Sequence, residues 1–230
     1  MILSHRHRFI FLKTAKTAGT SVEIALSRFA GPDDVITPIS RDDEQLRQDC
    51  GGLGPQNYRL PPQWRHLRRI AGSLLRGRWP CYYNHMSAAE VRKYAGEDVW
   101  GSYFRFCIER NPFDRVVSLY WWCHRREPRP TLSDFLRSPQ LDLLTQRGIE
   151  LYTDSAGRVL VDQVLRYEHL EADLEIVCQR LGLPESLRLP RAKSGHRPRQ
   201  QSWREVFNAA DRRLVERKFE REMELFDYGW

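Results

Sequence analysis

Residues 13–21 read K-T-A-K-T-A-G-T-S, directly after the apolar run Phe9-Ile10-Phe11-Leu12. Small residues, hydroxyls and cations at the start of a helix are oxyanion-binding chemistry. The first turn of a helix carries unpaired N–H groups and a partial positive charge. Ala18 and Gly19 let the backbone approach an anion, and Thr20 and Ser21 add hydroxyl donors. A full nucleotide-binding loop, G-x-x-x-x-G-K-[ST], would place its lysine after the glycine. Here Lys16 precedes Gly19, so the ammonium comes off the strand end and lies beside a bound phosphate, on the side where a transferred group leaves.

The segment E-R-N-P-F-D-R-V-V-S-L-Y, Glu109 to Tyr120, offers a second anion site. Arg110 ends a predicted strand just before a helix opened by Asn111 and Pro112, where a guanidinium can fork onto a phosphate. Ser118, two helical turns on, adds a hydroxyl to the same anion. His85, in Y-Y-N-H-M-S-A-A-E-V, is the candidate general base, since a neutral imidazole near pH 7 accepts a proton. Its alternative is a structural histidine between a loop and a helix, and Glu109 and Glu90 are weaker candidates for the base. Trp121-Trp122 with Arg125 and Arg126 form either an acceptor wall or, for at least one Trp, part of the core.

Several elements must position these groups. Residues 8–12 read as a buried strand and 20–29 as a short helix stopped before Gly31. Residues 103–109 read as a second strand followed by the helix from Pro112. A third strand is predicted over 159–167, followed by a helix with apolar positions Leu170, Leu174, Val177 and Leu181 that stops at Gly182. Ser202 to Glu205 has capping-box spacing, and 211–226 reads as a final helix. Strand and helix alternation predicts an α/β fold, a central parallel sheet with helices on both faces and ligands at the carboxyl ends of the strands. Residues 36–80 lack periodicity and carry many arginines, so they read as an irregular basic insertion, either a lid over an anionic acceptor or a solvated loop.

With 230 residues and 41% hydrophobic content, one domain over 1–230 is expected. The 37 Lys and Arg against 30 Asp and Glu give +7, which favours an anionic partner without naming it. No recognised nucleic-acid motif is present, so no nucleic-acid partner is expected. The five cysteines are scattered without C-x-x-C spacing, which indicates neither a disulfide framework nor a zinc site. No run approaches the roughly 18 apolar residues of a membrane span, and the first strand lies too close to Met1 for a signal peptide. The expectation is a cytoplasmic protein whose oligomeric state the sequence leaves open.

In order and spacing, these segments resemble the sulfotransferases that use 3′-phosphoadenosine 5′-phosphosulfate (PAPS). K-T-A-G-T-S at 16–21 is similar to their 5′-phosphosulfate loop, and R-N-P-F-D-R-V-V-S-L-Y at 110–120 to their 3′-phosphate element. V-L-R-Y-E-H-L at 164–170, a helix ending R-L-G-L-P, the basic stretch 193–199 and E-L-F-D-Y-G-W follow in an order similar to the carbohydrate-directed branch. His85 in H-M-S resembles the H-x-S segment of the uronosyl 2-O-sulfotransferases.

This resemblance covers most of the chain but not 36–80. It implies a P-loop-like sheet, PAPS as donor, its bisphosphate as product and no obligatory metal. It further implies Lys16 at the phosphosulfate bridge, Thr17, Ala18, Gly19, Thr20 and Ser21 around the 5′-phosphate, Arg110 with Ser118 on the 3′-phosphate, Lys193 at the nucleotide, and His85 as base. The implied acceptor is a hydroxyl, on a saccharide that is neutral or anionic. Lys13 and Ala15 depart from the family pattern, which often has a proline just before the loop lysine. Lys13 therefore either shares the role of Lys16 or is simply exposed. Two other classes compete: a P-loop kinase needing magnesium and ATP, and a non-enzymatic polyanion- or nucleic-acid-binding module.

Overall fold

The computed structural model describes residues 1–60, 79–190, 192 and 202–230. Phe9, Ile10 and Phe11 are all buried, as a strand covered on both faces requires, and they form the short central strand β2 (Phe9–Phe11). Before it runs β1 (Ile2–Ser4), joined to it as an antiparallel hairpin with Ile2 opposite Phe11. The Asp34 carboxylate holds the hairpin turn by accepting from Ser4 Oγ at 2.7 Å and the backbone N–H groups of His5 and Arg6 at 2.7 and 3.0 Å.

After β2 come α1 (Gly19–Ser27), β3 (Val35–Ile36) and α2 (Arg41–Asp49). Next follow α3 (Ala88–Ala95), α4 (Glu97–Ser102), β4 (Phe104–Glu109) and α5 (Pro112–Cys123). Short helices α6 (Leu132–Leu136), α7 (Asp142–Gln146) and α8 (Ile149–Tyr152) lead to β5 (Gln163–Arg166) and α9 (Leu170–Leu181). The chain closes with α10 (Ala209–Lys218) and α11 (Glu220–Phe226).

Among the described residues the sheet has five strands in the order β3-β1-β2-β4-β5. β2, β4 and β5 are parallel, whereas β1 pairs antiparallel with both β2 and the edge strand β3, so β1 alone runs against the others. The sheet is therefore mixed, which corrects the all-parallel expectation. A tight turn over residues 5–8 replaces the crossover helix that a parallel neighbour would need.

Alternating side chains divide the core. Phe9, Phe11, Phe104, Phe106, Ile108 and Leu165 face α1 and α9 through Val22, Leu26, Leu170, Leu174 and Val177. Leu3, Ile10, Leu12 and Cys107 face the opposite side, against Met86, Val91, Trp100, Ile149 and Tyr152. Helices thus cover both faces, as expected. Phe106 is fully buried, with the Phe11 and Phe104 ring centroids 5.2 and 5.5 Å away. Truncating such a residue to alanine costs about 3–5 kcal/mol.

Local signals account for the helix ends. Asn111 Oδ1 accepts the Phe113 N–H at 3.0 Å with Pro112 in the first helical position, starting α5. Gly182 ends α9 at φ 60, a left-handed cap that glycine adopts freely. The insertion is not wholly irregular, because Ser40 caps α2 and Ile36 belongs to β3. Its residues 61–78 lie outside the described residues. The single helix expected over 211–226 is two, α10 and α11, meeting at Phe219. Ser202 caps only the turn Trp203–Glu205.

Candidate active site

Because β2, β4 and β5 run parallel with Phe11 beside Phe106 and Glu109 beside Arg166, their carboxyl ends share one edge of the sheet. The chain leaves these ends as the 13–18 loop, Arg110 and Tyr167. Between them opens a cavity of about 710 Å³. That is within the range of small-molecule sites. Its lining brings together the sequence-derived residues Lys13, Lys16, Thr17, Ala18, Gly19, Thr20, Ser21, His85, Arg110 and Ser118. Lys193 lies outside the described residues. Its neighbour Ala192 lines the cavity and donates its N–H to Ser21 Oγ at 3.3 Å.

The loop is held from below. Ala15 N–H donates to the Arg147 carbonyl at 2.7 Å, Thr14 Oγ1 donates to the Ile108 carbonyl, and the Thr14 and Thr17 hydroxyls lie 2.8 Å apart. Lys16 and Ala18 have φ of 64 and 60, left-handed values that cost non-glycine residues roughly 1–3 kcal/mol. Ala18 is the cap of α1, and no side chain bonds the helix start. The N-terminal dipole of a nine-residue helix therefore meets the cavity with the hydroxyls of Thr20 and Ser21 beside it. At Gly19 a Cβ would lie 2.8 Å from Lys13 Cγ, so the loop passes over Lys13 only as glycine.

Lys13 lines the cavity but is buried, not exposed. Its side chain is buried and its Nζ lies 2.8 Å from Glu23 Oε2, inside a cluster that includes Arg47, 3.3 Å from Glu23 Oε1. The Lys13 carbonyl oxygen lies 2.8 Å from His85 Nδ1. A carbonyl only accepts, so Nδ1 carries the proton and Nε2 keeps its lone pair. Burial, reinforced by the Lys13 ammonium, pushes the His85 pKa down to about 3. His85 itself has φ 59, a third left-handed residue on the cavity wall.

Arg110 lies flat on the Tyr167 ring, its Cζ 3.9 Å from the centroid. Nε and Nη2 donate to Asp114 Oδ2, and Nη1 donates to the Lys16 carbonyl at 3.1 Å. Asp114 thus takes the side-on fork of a guanidinium that lines the cavity. Lys16 Nζ lies 5.4 Å from the Trp122 ring centroid, within cation–π range.

Both carboxylates considered as alternative bases have structural partners. Glu109 is fully buried, accepting from Arg115 Nη1 at 2.6 Å, Tyr152 Oη at 2.9 Å and the Arg110 N–H at 3.1 Å. Glu90 closes the capping box of α3 with Ser87 and accepts from Tyr83 Oη at 2.6 Å.

Sequence reasoning missed two arginines. Arg115 is buried and braces the site from beneath, with Nε on the Ala15 carbonyl at 2.8 Å and Nη2 on the Arg147 carbonyl at 3.2 Å. At Gly148 a Cβ would fall 2.6 Å from Arg115 Nη2. The arginine stands inside the recognised segment R-N-P-F-D-R, where a buried brace was legible only as one more cation. Arg147 lines the cavity from a turn without periodicity, so nothing in residue spacing marks it. Asn84, Tyr83 and Ser40 also line the cavity, and Trp121 and Trp122 both reach it. The lining includes Lys16, Arg110 and Arg147 but no Asp or Glu among the described residues.

Fold and site together define an α/β protein with a cationic, anion-binding cavity at the carboxyl ends of three parallel strands. The chain belongs to the sulfotransferase family, whose model matches residues 1–147. That span contains the loop, His85, Arg110 and Ser118, and the family relation makes the chain a transferase of sulfuryl groups. An uncharacterized protein of Archaeoglobus fulgidus is 36% identical over 107 residues, covering 44% of this chain and 87% of that protein. No solved structure matches the chain. No helix among the described residues is long and apolar enough to cross a membrane.

Proposed function

We propose that the protein moves the sulfuryl group of PAPS to a carbohydrate hydroxyl by direct in-line displacement, with His85 as base. The observation that carries this reading is the Lys13 carbonyl on His85 Nδ1, which leaves Nε2 as the acceptor nitrogen on a wall shared with the phosphate loop. The cavity's chemistry suits a nucleotide phosphorylated at two positions. The start of α1 with Thr20 and Ser21 receives the 5′-phosphate, while Arg110 and Ser118 receive the 3′-phosphate.

In the reaction the acceptor oxygen bonds to sulfur as the bond from sulfur to the bridging phosphate oxygen breaks. His85 Nε2 takes the hydroxyl proton, and Lys16 stabilises the charge that develops on the departing phosphate. Trp121 and Trp122 provide ring faces for a sugar. A lining without described carboxylates gives a magnesium–triphosphate complex little to bind, which disfavours the kinase reading.

Calorimetric titration with adenosine 3′,5′-bisphosphate, ADP and ATP, each with and without magnesium, tests the donor site. Metal-independent preference for the 3′,5′-bisphosphate is expected. Preference for ATP with magnesium would overturn the reading.

A further inference from the structure

Of the cations that line the cavity, Lys13 pairs with Glu23 Oε2 at 2.8 Å, Arg110 pairs with Asp114, and Lys16 lies over the Trp122 ring. Arg147 lines the same wall, and no carboxylate pairs with it among the described residues. Its backbone is tied to the phosphate loop. The Arg147 carbonyl accepts the Ala15 N–H at 2.7 Å, one residue before Lys16, and Arg115 Nη2 at 3.2 Å from beneath. Gly148 permits this approach, since a Cβ there would lie 2.1 Å from the Leu144 carbonyl oxygen and 2.6 Å from Arg115 Nη2. From that anchored backbone the side chain extends exposed. Its charge reaches the candidate base: burial is the main force lowering the His85 pKa, the Lys13 ammonium adds to it, and the Arg147 guanidinium adds further.

We propose that Arg147 is a catalytic residue whose guanidinium binds the sulfuryl oxygens during transfer, between His85 and the leaving-group cation Lys16. The proposal rests on the sulfuryl-transfer reading and gives a partner to the part of the donor that the α1 start, Arg110, Ser118 and Lys16 leave without one. A sulfuryl group in flight carries three oxygens, and their charge repels the incoming oxygen as it gives up its proton. A guanidinium forks onto two such oxygens, which turns the sulfur towards the incoming oxygen and screens that repulsion. The tie between the Arg147 carbonyl and Ala15 holds the guanidinium in register with the loop that carries Lys16.

The test needs no acceptor, because water takes its place. The water oxygen bonds to sulfur, the bond from sulfur to the bridging phosphate oxygen breaks, and His85 Nε2 takes one water proton, leaving hydrogen sulfate and adenosine 3′,5′-bisphosphate. Single-turnover release of sulfate from PAPS is measured beside titration with the bisphosphate, which lacks the sulfuryl group. Arg147→Ala should slow sulfate release about 100-fold, the cost of removing one donor to a transition-state oxyanion. It should bind the bisphosphate as the parent does and unfold at the parental urea midpoint, because the bonds that anchor the loop come from the backbone carbonyl. Arg147→Lys should recover part of the rate, since it restores the charge without the fork.

Sulfate release at the parental rate in Arg147→Ala would overturn the proposal. So would a bisphosphate affinity that falls by the same factor as the rate, which would place Arg147 on the nucleotide instead. A parent that binds the bisphosphate yet releases no sulfate above the protein-free rate would also overturn it, since a cation on the sulfuryl oxygens serves water as it serves any hydroxyl. A parent that fails to bind the bisphosphate would bring down the donor-site reading, and the proposal with it.

Discussion

His85 Nδ1 and the Lys13 carbonyl oxygen, 72 residues apart in the chain, lie 2.8 Å from each other. This bond couples the strand end below the phosphate loop to the candidate base. Replacing His85 with alanine should lower the transfer rate about 100- to 10,000-fold while adenosine 3′,5′-bisphosphate binds unchanged, as single-turnover and titration measurements would show. Transfer at the parental rate would remove His85 from the mechanism.

The pKa of about 3 has a consequence for the pH profile. kcat/KM reports the free enzyme, so its acid limb should fall well below the usual histidine value of 6.5, leaving the profile flat from pH 8 to about 5. An acid limb centred near 6.5 would show that the essential base is a less buried group. The sign for stability follows from the same depression. The fold holds His85 neutral, so its contribution is present above pH 6.5 and declines as pH falls from there towards 3.

Arg110 and Arg115 should separate binding from stability. Arg110 faces the cavity, and Arg110→Ala should weaken bisphosphate binding by roughly 1.5–3 kcal/mol, the worth of hydrogen bonds to a charged group. Arg110→Lys should recover little of it, because the flat stack on Tyr167 needs a planar head. Arg115→Ala leaves Glu109 buried without its ion partner and should cost about 3–5 kcal/mol in urea unfolding. Matching losses of binding and stability in both variants would show that the two roles are not distinct.

Glu222 is 2% exposed, and its Oε1 has no hydrogen-bond partner among the described residues. Burial, with the Glu109 charge adding to it, pushes its pKa up to about 7 from 4.5. A carboxyl that is more easily protonated in the fold contributes stability fully below about pH 4.5, and that contribution is lost as pH rises through 7. The span is on the order of 3 kcal/mol. Glu222→Gln should flatten the stability curve across this window and leave the protein more stable than the parent at pH 8. An unchanged slope would show that another group titrates there.

Much of this arrangement was legible because its signals are local. Asn111 and Pro112 announce a helix start, Gly182 a stop, and the position of Lys16 before Gly19 separates the loop from an ATPase loop. The strands β1 and β3 were illegible because two or three residues cannot display an alternation. Helix α2 reads R-D-D-E-Q-L-R-Q-D, and the residues it buries are Asp43 and Arg47, so apolar periodicity could not reveal it. The burial of Lys13 was illegible because its ion pair is with Glu23, one helix away, and spacing along the chain does not show which cation a buried carboxylate will claim.

The cavity wall is drawn from residues 13–21, 40, 83–85, 110, 118–119, 121–122, 143, 147, 167 and 192, pieces that meet only after the parallel strands have paired. Such non-local contacts form at the cost of closing long loops, so a partly folded chain presents no complete site. Any ligand of the cavity is then a reporter of global folding. A bisphosphate at 100 times its dissociation constant would add about 2.7 kcal/mol to the stability of the whole sheet. Donor supply would thereby govern how long the protein survives proteolysis as well as how fast it turns over.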